Sequence, residues 1–285
     1  MALGIGATQN KKPTLAIWDI KQKKLTQTIQ EGEDNTVYKV NFNKNSTNLI
    51  YVMQNGEFFY LTMHDIVTGD DITLKKTRDH YYFMGYAIQY ENNTLILPLE
   101  NTGLEIWCIE KGTLLETINI NDVTTSVNPY SAIITTVSNN GKYLAMRGHK
   151  EHIIEVFNTN DFTISYTLDS LFQKSGQLVF SPNDKLLAAV SQKDGCFLWN
   201  TETKEKFLPD YFDEHMLRVH RVAFSRHSRL LAMGYGTSYV TVIDLDNGNE
   251  KYSDKLHWGC IHDIVITQDN VIYSAGEKGK LIERR

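Results

Sequence analysis

The sequence predicts an all-β fold made of seven repeated units, and three observations lead to that prediction. An apolar pair followed by Asp or Asn, as in IWDI at Ile17–Ile20, recurs along nearly the whole chain. The intervals between equivalent positions are 46, 43, 50, 42, 44 and 39 residues. Fifteen Tyr and twelve Phe against five Pro favour strands, since aromatic side chains fit pleated, half-buried surfaces. The equivalent residues are Trp18, His64, Trp107, Phe157, Trp199, Ile243 and Ile282.

A near-constant period of this length, with four strands in each unit, is typical of a β-propeller. Seven units fill the chain, so we predict one seven-bladed propeller domain over residues 1–285. The blades are expected near residues 1–30, 31–78, 79–120, 121–169, 170–210, 211–254 and 255–285.

The unit from Gly176 to Pro209 shows most clearly how one repeat is built. Pro182 presets φ in the turn after the first strand. The apolar run that follows this turn predicts a second strand buried on both faces. The four strands are predicted, in order, at Gln177–Phe180, Lys185–Ser191, Cys196–Trp199 and Lys206–Leu208.

The segment FSPNDKLLAAVSQKDGCFLWN, residues 180–200, resembles a WD repeat over its whole length. In that family, a buried Trp is joined through a Ser or Thr and an Asp to a His from the preceding loop. The resemblance therefore implies such roles for Trp199, Ser191 and Asp194. Asp194 lies one residue nearer the Trp than usual, and residues 169–175 contain no His, so the network is incomplete.

Two later units keep the His-led start of the first strand, at His215 and His257. Their third strands carry Ile243 and Ile282 where the family has Trp, which indicates apolar packing in place of the polar network. The chain is therefore similar to a divergent WD-repeat β-propeller.

The two ends of the chain depart from the repeat. The first unit begins at its second strand, near Leu3–Gln9, and the last unit stops after its third strand. We therefore expect incomplete first and last blades. A closed propeller needs both missing strands, because unpaired strand edges invite aggregation. Either the natural protein extends beyond this sequence, which we expect, or the missing strands come from another chain.

Charge and cysteine content restrict the partners and the compartment. A net charge of −5 argues against general attraction to nucleic acid or to anionic membranes. Three Cys residues, far apart in the sequence, imply no disulfide framework and favour a reducing compartment. No segment has the apolar length needed to span a bilayer. We predict a cytoplasmic protein, with the nucleus as the alternative.

Sequence motifs for catalysis or metal binding do not stand out. There is no Gly-x-Ser-x-Gly motif and no phosphate-binding Gly loop. His149 and His152 fall in a predicted loop, where they do not share a helix face. His257, Cys260 and His262 have no evident fourth ligand, and His257 is explained as the structural His of its repeat. We predict a protein without catalytic residues, metal or cofactor.

Loops that join a fourth strand to the next first strand open on one rim of a propeller. Here these loops carry exposed-type aromatic, Met and Arg residues, which often supply the binding energy of protein interfaces. The candidate protein-binding residues are Tyr81, Tyr82, Phe172, Met216, Arg218 and Trp258. The alternative is that these side chains only cap the first strands.

The predicted function is a non-catalytic scaffold for protein–protein interaction, acting as a subunit or domain of a larger assembly. Broad rims made of many loops suit multivalent docking. The alternative is a propeller that recognises RNA or a modified peptide at its central mouth.

Overall fold

A computed structural model describes most of the chain, and β-strands account for nearly all of its regular structure. A 3₁₀ turn at Phe83–Gly85 is the exception among the described residues. Among the residues that the structure describes, no helix has the length and apolarity that a membrane crossing requires. The described residues are 2–5, 14–31, 35–78, 83–99, 103–120, 133–147, 153–169, 176–191, 195–207, 218–276 and 280–285.

The first of two compact units spans residues 1–123 and contains three antiparallel sheets. Sheet 1 consists of β1 (Ala2–Ile5), β2 (Thr14–Asp19) and β3 (Lys24–Glu31). Sheet 2 consists of β4 (Asn35–Phe42), β5 (Asn48–Asn55), β6 (Phe58–Asp65) and β7 (Asp71–Thr77). Sheet 3 consists of β8 (Ala87–Gln89), β9 (Thr94–Pro98), β10 (Gly103–Cys108) and β11 (Thr113–Asn119).

The second unit, residues 124–285, contains four antiparallel sheets. Sheet 4 consists of β12 (Ile134–Val137), β13 (Tyr143–Arg147), β14 (Ile153–Asn158) and β15 (Ile164–Asp169). Sheet 5 consists of β16 (Gln177–Phe180), β17 (Leu186–Ser191), β18 (Gly195–Asn200) and β19 (Lys206–Phe207). Sheet 6 consists of β20 (Val219–Phe224), β21 (Leu230–Tyr235), β22 (Tyr239–Asp244) and β23 (Glu250–Lys255). Sheet 7 consists of β24 (Ile261–Ile266), β25 (Ile272–Gly276) and β26 (Lys280–Arg284).

This pattern confirms the predicted repeat. Each sheet pairs its strands in chain order, five sheets have four strands, and sheets 1 and 7 have three among the described residues. β16 begins and ends where the sequence predicted it, and the apolar run in β17 is buried on both faces. The single-domain boundaries 1–285 stay a prediction.

The equivalent third-strand positions are not equally buried. Phe157 and Trp199 are fully buried, whereas Trp18 and Trp107 are partly buried, and Trp107 packs against the apolar cluster formed by sheets 2 and 3. The Trp107 Nε1 donates to Glu105 Oε2 at 3.1 Å, and its cross-strand neighbour Leu114 is exposed. An indole often keeps its polar edge near solvent while its apolar body packs, which explains the partial exposure.

A polar group replaces the aromatic residue in sheet 2. His64 is buried, with its Nδ1 3.0 Å from Asp71 Oδ1 and its Nε2 3.2 Å from Gln27 Nε2 in sheet 1. In sheet 6 the equivalent residue, Ile243, is buried among apolar side chains, as predicted. Different chemistry therefore fills the same position in different sheets.

Third-strand carboxylates organise the turns that follow them. Asp65 accepts from the backbone N–H groups of Val67 and Thr68 at 2.8 and 2.9 Å. These bonds, chiefly the one from Thr68, hold the pKa of Asp65 below its usual range. Asp19 accepts from Gln22 N at 2.9 Å in the same way.

Turns after the first strands join neighbouring sheets of the second unit. Asp184 accepts from Asn139 N and Asn140 N at 2.6 and 2.9 Å, which ties sheet 5 to sheet 4. Asn183 N donates to Ser228 Oγ at 3.0 Å, which ties sheet 5 to sheet 6. The first strands of these sheets are thus anchored at their C-terminal ends, and the loops at their N-terminal ends carry the candidate site.

Candidate functional site

The predicted binding residues divide into two groups. Tyr81, Tyr82, Phe172 and Met216 lie outside the described residues. Arg218 and Trp258 are both exposed, and both of their loops bond to the turn at residues 236–238 between β21 and β22. The structure therefore brings two of the six predicted residues to one place.

The segment that carries Trp258 is anchored to Ser238. The carbonyl oxygen of Ser238 accepts from Leu256 N at 3.1 Å and from His257 N at 3.2 Å. Its hydroxyl oxygen accepts from Gly259 N at 2.8 Å. Gly259 has φ of 104°, a conformation that glycine adopts without a steric penalty. Trp258 therefore projects into solvent from a backbone held on both sides.

His257 anchors the same segment from below. Its ring is buried, and its Nε2 lies 2.7 Å from Ser274 Oγ on β25. The close approach of Gly276 leaves space for the ring, because a Cβ at that position would lie 2.5 Å from His257 Nδ1. This arrangement agrees with the structural role that the sequence assigned to His257.

The loop that carries Arg218 also bonds to the turn at residues 236–238. The Arg218 carbonyl oxygen accepts from Gly236 N at 3.0 Å, and Arg218 has φ of 80°. Few non-glycine residues adopt positive φ, and such strain often marks functional loops. Val219, the next residue, is fully buried, so the exposed Arg218 side chain starts from a fixed point.

Two residues that the sequence analysis did not single out extend this surface. Tyr239 is exposed and pairs across strands with Lys255. The Lys255 Nζ lies 5.7 Å from the Trp258 ring, within the range of a cation–π contact. We call Arg218, residues 236–238, Tyr239, Lys255 and Trp258 the Trp258 surface.

Beneath this surface, β20 and β24 lie side by side and carry matching β-bulges. In β20 the register shifts at His220, between Val219 and Arg221. In β24 it shifts at His262, between Ile261 and Asp263. A bulge inserts one unpaired residue and re-aims the side chains beside it. The polar pairs 220–221 and 262–263, which we call the bulge cluster, therefore occupy equivalent positions.

The bulge cluster contains electrostatically coupled groups. Burial lowers the pKa of His220, and the positive charges of Arg221 and His262 lower it further. Desolvation by the surrounding protein raises the pKa of Asp263, although the residue is solvent-accessible, and Arg221 opposes that rise. The Arg221 Nη1 donates to the His220 carbonyl oxygen at 2.8 Å.

The bulge cluster is connected to the Trp258 surface through Gly236. A Cβ at Gly236 would lie 2.9 Å from His220 Nε2, so the imidazole lies directly against the turn. The Cys260 Sγ approaches the Gly236 carbonyl oxygen at 3.7 Å from the other side. Gly236 thus contacts the His220 ring, the Cys260 thiol and the Arg218 carbonyl, and so links the bulge cluster to the loops that carry Arg218 and Trp258.

Metal-binding geometry is not found in the described ranges, where no group of three His, Cys, Asp or Glu could hold an ion. The Nε2 of His257, one member of the His–Cys–His set considered from sequence, contacts Ser274. The other candidate pair, His149 and His152, lies outside the described residues.

A concavity lies on one face of sheet 2. It has a volume of about 300 Å³ and is lined by Tyr51, Met53, Asn55, Tyr60, Thr62, Asp71 and Thr73. Its carboxylate, Asp71, already accepts from the Tyr51 hydroxyl at 3.3 Å and contacts His64 Nδ1 at 3.0 Å. Because these polar atoms bind one another, the Trp258 surface is the stronger candidate.

The sequence contained a signal for the bulge cluster. Three first strands contain two apolar residues separated by two polar or aromatic ones, as in Val219–Val222. The same spacing occurs at Ile261–Ile264 and Val37–Val40, and all three strands are bulged between the apolar residues. Aligning the intervening pairs would have placed His220 beside His262.

Comparison with known proteins gives a weak sequence similarity and a clear similarity of fold. No protein-family profile matches the chain. Over 87 residues, 30% of this chain, it is 29% identical to WD repeat-containing protein 91 of Bos taurus and of Xenopus tropicalis. The matched region covers 12% of the length of those relatives.

The fold similarity extends over the whole chain. A chain from the crystal structure of the mitotic checkpoint complex matches 100% of this chain and 83% of its own length, with a TM-score of 0.73. The identity is 12%, so this likeness shows the fold alone, which is that of a β-propeller.

Proposed function

We propose that this chain, a divergent WD-repeat β-propeller, is a non-catalytic scaffold that binds other proteins of a multi-subunit assembly through the Trp258 surface. Similarity to WD-repeat proteins supports a role in protein interaction in general.

The observation that carries the proposal is the exposure of Trp258 on a rigid support. Its exposed fraction is 73%, although the backbone on both sides is bonded to Ser238. A large aromatic side chain presented by a fixed backbone loses little conformational entropy on binding, and Trp is among the most frequent interface hot spots. These properties fit a docking anchor.

Charge on the Trp258 surface favours an acidic partner. Arg218 and Lys255 are both exposed beside the aromatic residues Tyr239 and Trp258. Arg, Tyr and Trp are enriched in interface cores, and cations at the periphery steer oppositely charged partners. The non-catalytic part of the proposal rests on the sequence, which lacks the nucleophile and phosphate-binding motifs of common enzymes. We propose a cytoplasmic location, with the nucleus as the alternative.

Trp258→Ala is expected to weaken binding to a partner by about 2 kcal/mol, which is about thirtyfold in Kd. Because the Trp258 side chain is mostly exposed, the melting temperature should change little. The measurement is affinity purification of tagged full-length protein with mass spectrometry, followed by titration of the partner so identified.

Val67→Ala is the matched control, since Val67 is apolar, 81% exposed and located on the β6–β7 turn of the first unit. A partner retained equally by the wild type, Trp258→Ala and Tyr239→Ala would contradict the proposed surface. An association that nuclease treatment removes would instead favour the RNA-binding alternative.

A further inference from the structure

The bulge cluster combines features of a ligand site that the docking surface alone does not explain. Two neighbouring strands place His220 and Arg221 next to His262 and Asp263, at positions made equivalent by the two register shifts. His262 and Asp263 are exposed, and His220 and Arg221 are half-buried. A ligand that reaches the Trp258 surface therefore also has access to these four side chains.

At the equivalent bulge in sheet 2, the cation is already hydrogen-bonded within the protein. There Lys39 takes the place of Arg221, and its Nζ donates to the Tyr86 carbonyl oxygen at 2.6 Å and lies 4.1 Å from the Tyr86 ring. Arg221, in contrast, bonds the carbonyl oxygen of its neighbour His220 through Nη1. A guanidinium has five N–H donors in a planar fork, so most of its capacity can serve a ligand.

We propose that His220, Arg221 and His262 form a binding site for the carboxylate of an acidic side chain on a protein partner. The inference deepens the proposed function and rests on it, since the partner that docks on Trp258 would supply this side chain. Arg binds a carboxylate through two parallel hydrogen bonds, and each imidazole can add a further donor.

Proton linkage gives this site a direction of pH dependence. In the free protein, burial together with Arg221 and His262 lowers the pKa of His220. A bound carboxylate favours the charged imidazolium, so the pKa of His220 is higher in the complex than in the free protein. The extra affinity is therefore fully present below the free-state pKa and is lost as pH rises through the bound-state pKa.

The other groups around His220 act in the same direction or are neutral. From β24, His262 presents its imidazole to the same site and interacts electrostatically with His220. Asp263, whose pKa is raised by desolvation from the surrounding protein, repels a second carboxylate only when it is ionised, so its protonation also favours binding. From β16, Gln177 accepts from Val222 N at 2.9 Å and carries no charge. The turn contributes Gly236, and Arg218 lies beyond it.

The test is a fluorescence-anisotropy titration of full-length protein with acetylated, amidated hexaglutamate, using hexaglutamine as the uncharged control. Measurements at about pH 5.5 and about pH 7.5 lie on either side of the ordinary His pKa of about 6.5. We expect hexaglutamate to bind about tenfold more tightly at the lower pH, the equivalent of one pKa unit of linkage. Arg221→Gln should weaken binding about tenfold at both values.

Matched variants separate binding at this site from nonspecific attraction by surface charge. Arg226 and His227 are exposed in the turn at the other end of β20, so Arg226→Gln and His227→Gln make the same changes away from the bulge cluster. Both should leave the titration unchanged. The double variant His220→Gln with His262→Gln should remove most of the pH dependence.

Three results would overturn the inference: equal effects of Arg221→Gln and Arg226→Gln, equal binding of the two peptides, or pH dependence that survives in the double His variant. Binding of inorganic phosphate without binding of hexaglutamate would assign the site to phosphate and also overturn it.

If the peptide does not bind but partner capture still requires Trp258, this inference fails and the proposed function stands. If capture is independent of Trp258 while Arg221 still controls peptide binding, the proposed docking surface fails.

Discussion

Trp199→Ala is expected to lower the free energy of unfolding by about 3–5 kcal/mol, the usual range for removing a large buried aromatic side chain. Trp199 is 2% exposed, and it packs in a cluster with Val156, Leu168 and Leu187. Those residues come from sheets 4 and 5, so the indole fills the space between two neighbouring sheets. Its removal leaves a cavity that strands tied by backbone hydrogen bonds cannot close.

Denaturant midpoints measured with an unchanged m-value would provide this free energy. Val67→Ala serves as the exposed control and should stay within about 0.5 kcal/mol of the wild type. Trp18→Ala should have a smaller effect than Trp199→Ala, because Trp18 is only half-buried. A loss at Trp199 no greater than that at Val67 would mean that sheets 4 and 5 do not pack through this residue.

Gly276→Ala is expected to destabilise the protein by about 1–3 kcal/mol through overpacking. A Cβ at this position would lie 2.5 Å from His257 Nδ1 and 2.7 Å from His257 Cγ. The imidazole is buried and bonded to Ser274 Oγ, so it cannot move aside without losing that hydrogen bond. Displacement of His257 would also disturb Trp258, the residue that follows it in the chain.

A double-mutant cycle separates this clash from a general effect of Ala in the strand. Gly276→Ala should cost much less in a His257→Ala background, with a coupling energy of about 0.5–3 kcal/mol. Gly236→Ala is the matched glycine control: its Cβ would meet the tip of the half-buried His220 side chain, which can rotate away. Additive effects of the first two changes would rule out the steric explanation.

Local chemistry was sufficient to predict the repeat architecture. Spacing of the third-strand segments predicted seven units, and the described residues form seven sheets. Turn residues and apolar runs predicted the bounds of β16 correctly, and third-strand Asp residues such as Asp65, which belong to the repeat pattern, organise local turns. These features depend on residues close together in sequence, because alternation and turn geometry are short-range properties. Exposed loops with Arg218 and Trp258 also followed from the repeat alone.

Tertiary structure alone decided how these pieces meet. Trp18 and Trp199 occupy equivalent positions, yet only Trp199 is fully buried, since exposure depends on what the neighbouring sheet places opposite. The bulges at His220 and His262 shift the register by one residue, which changes the side chains that face each other across adjacent strands. The apolar spacing around His220 and His262 marks each bulge in the sequence but does not show where the bulge lies relative to Trp258. The juxtaposition of the bulge cluster with Trp258 therefore had to come from packing between sheets 6 and 7.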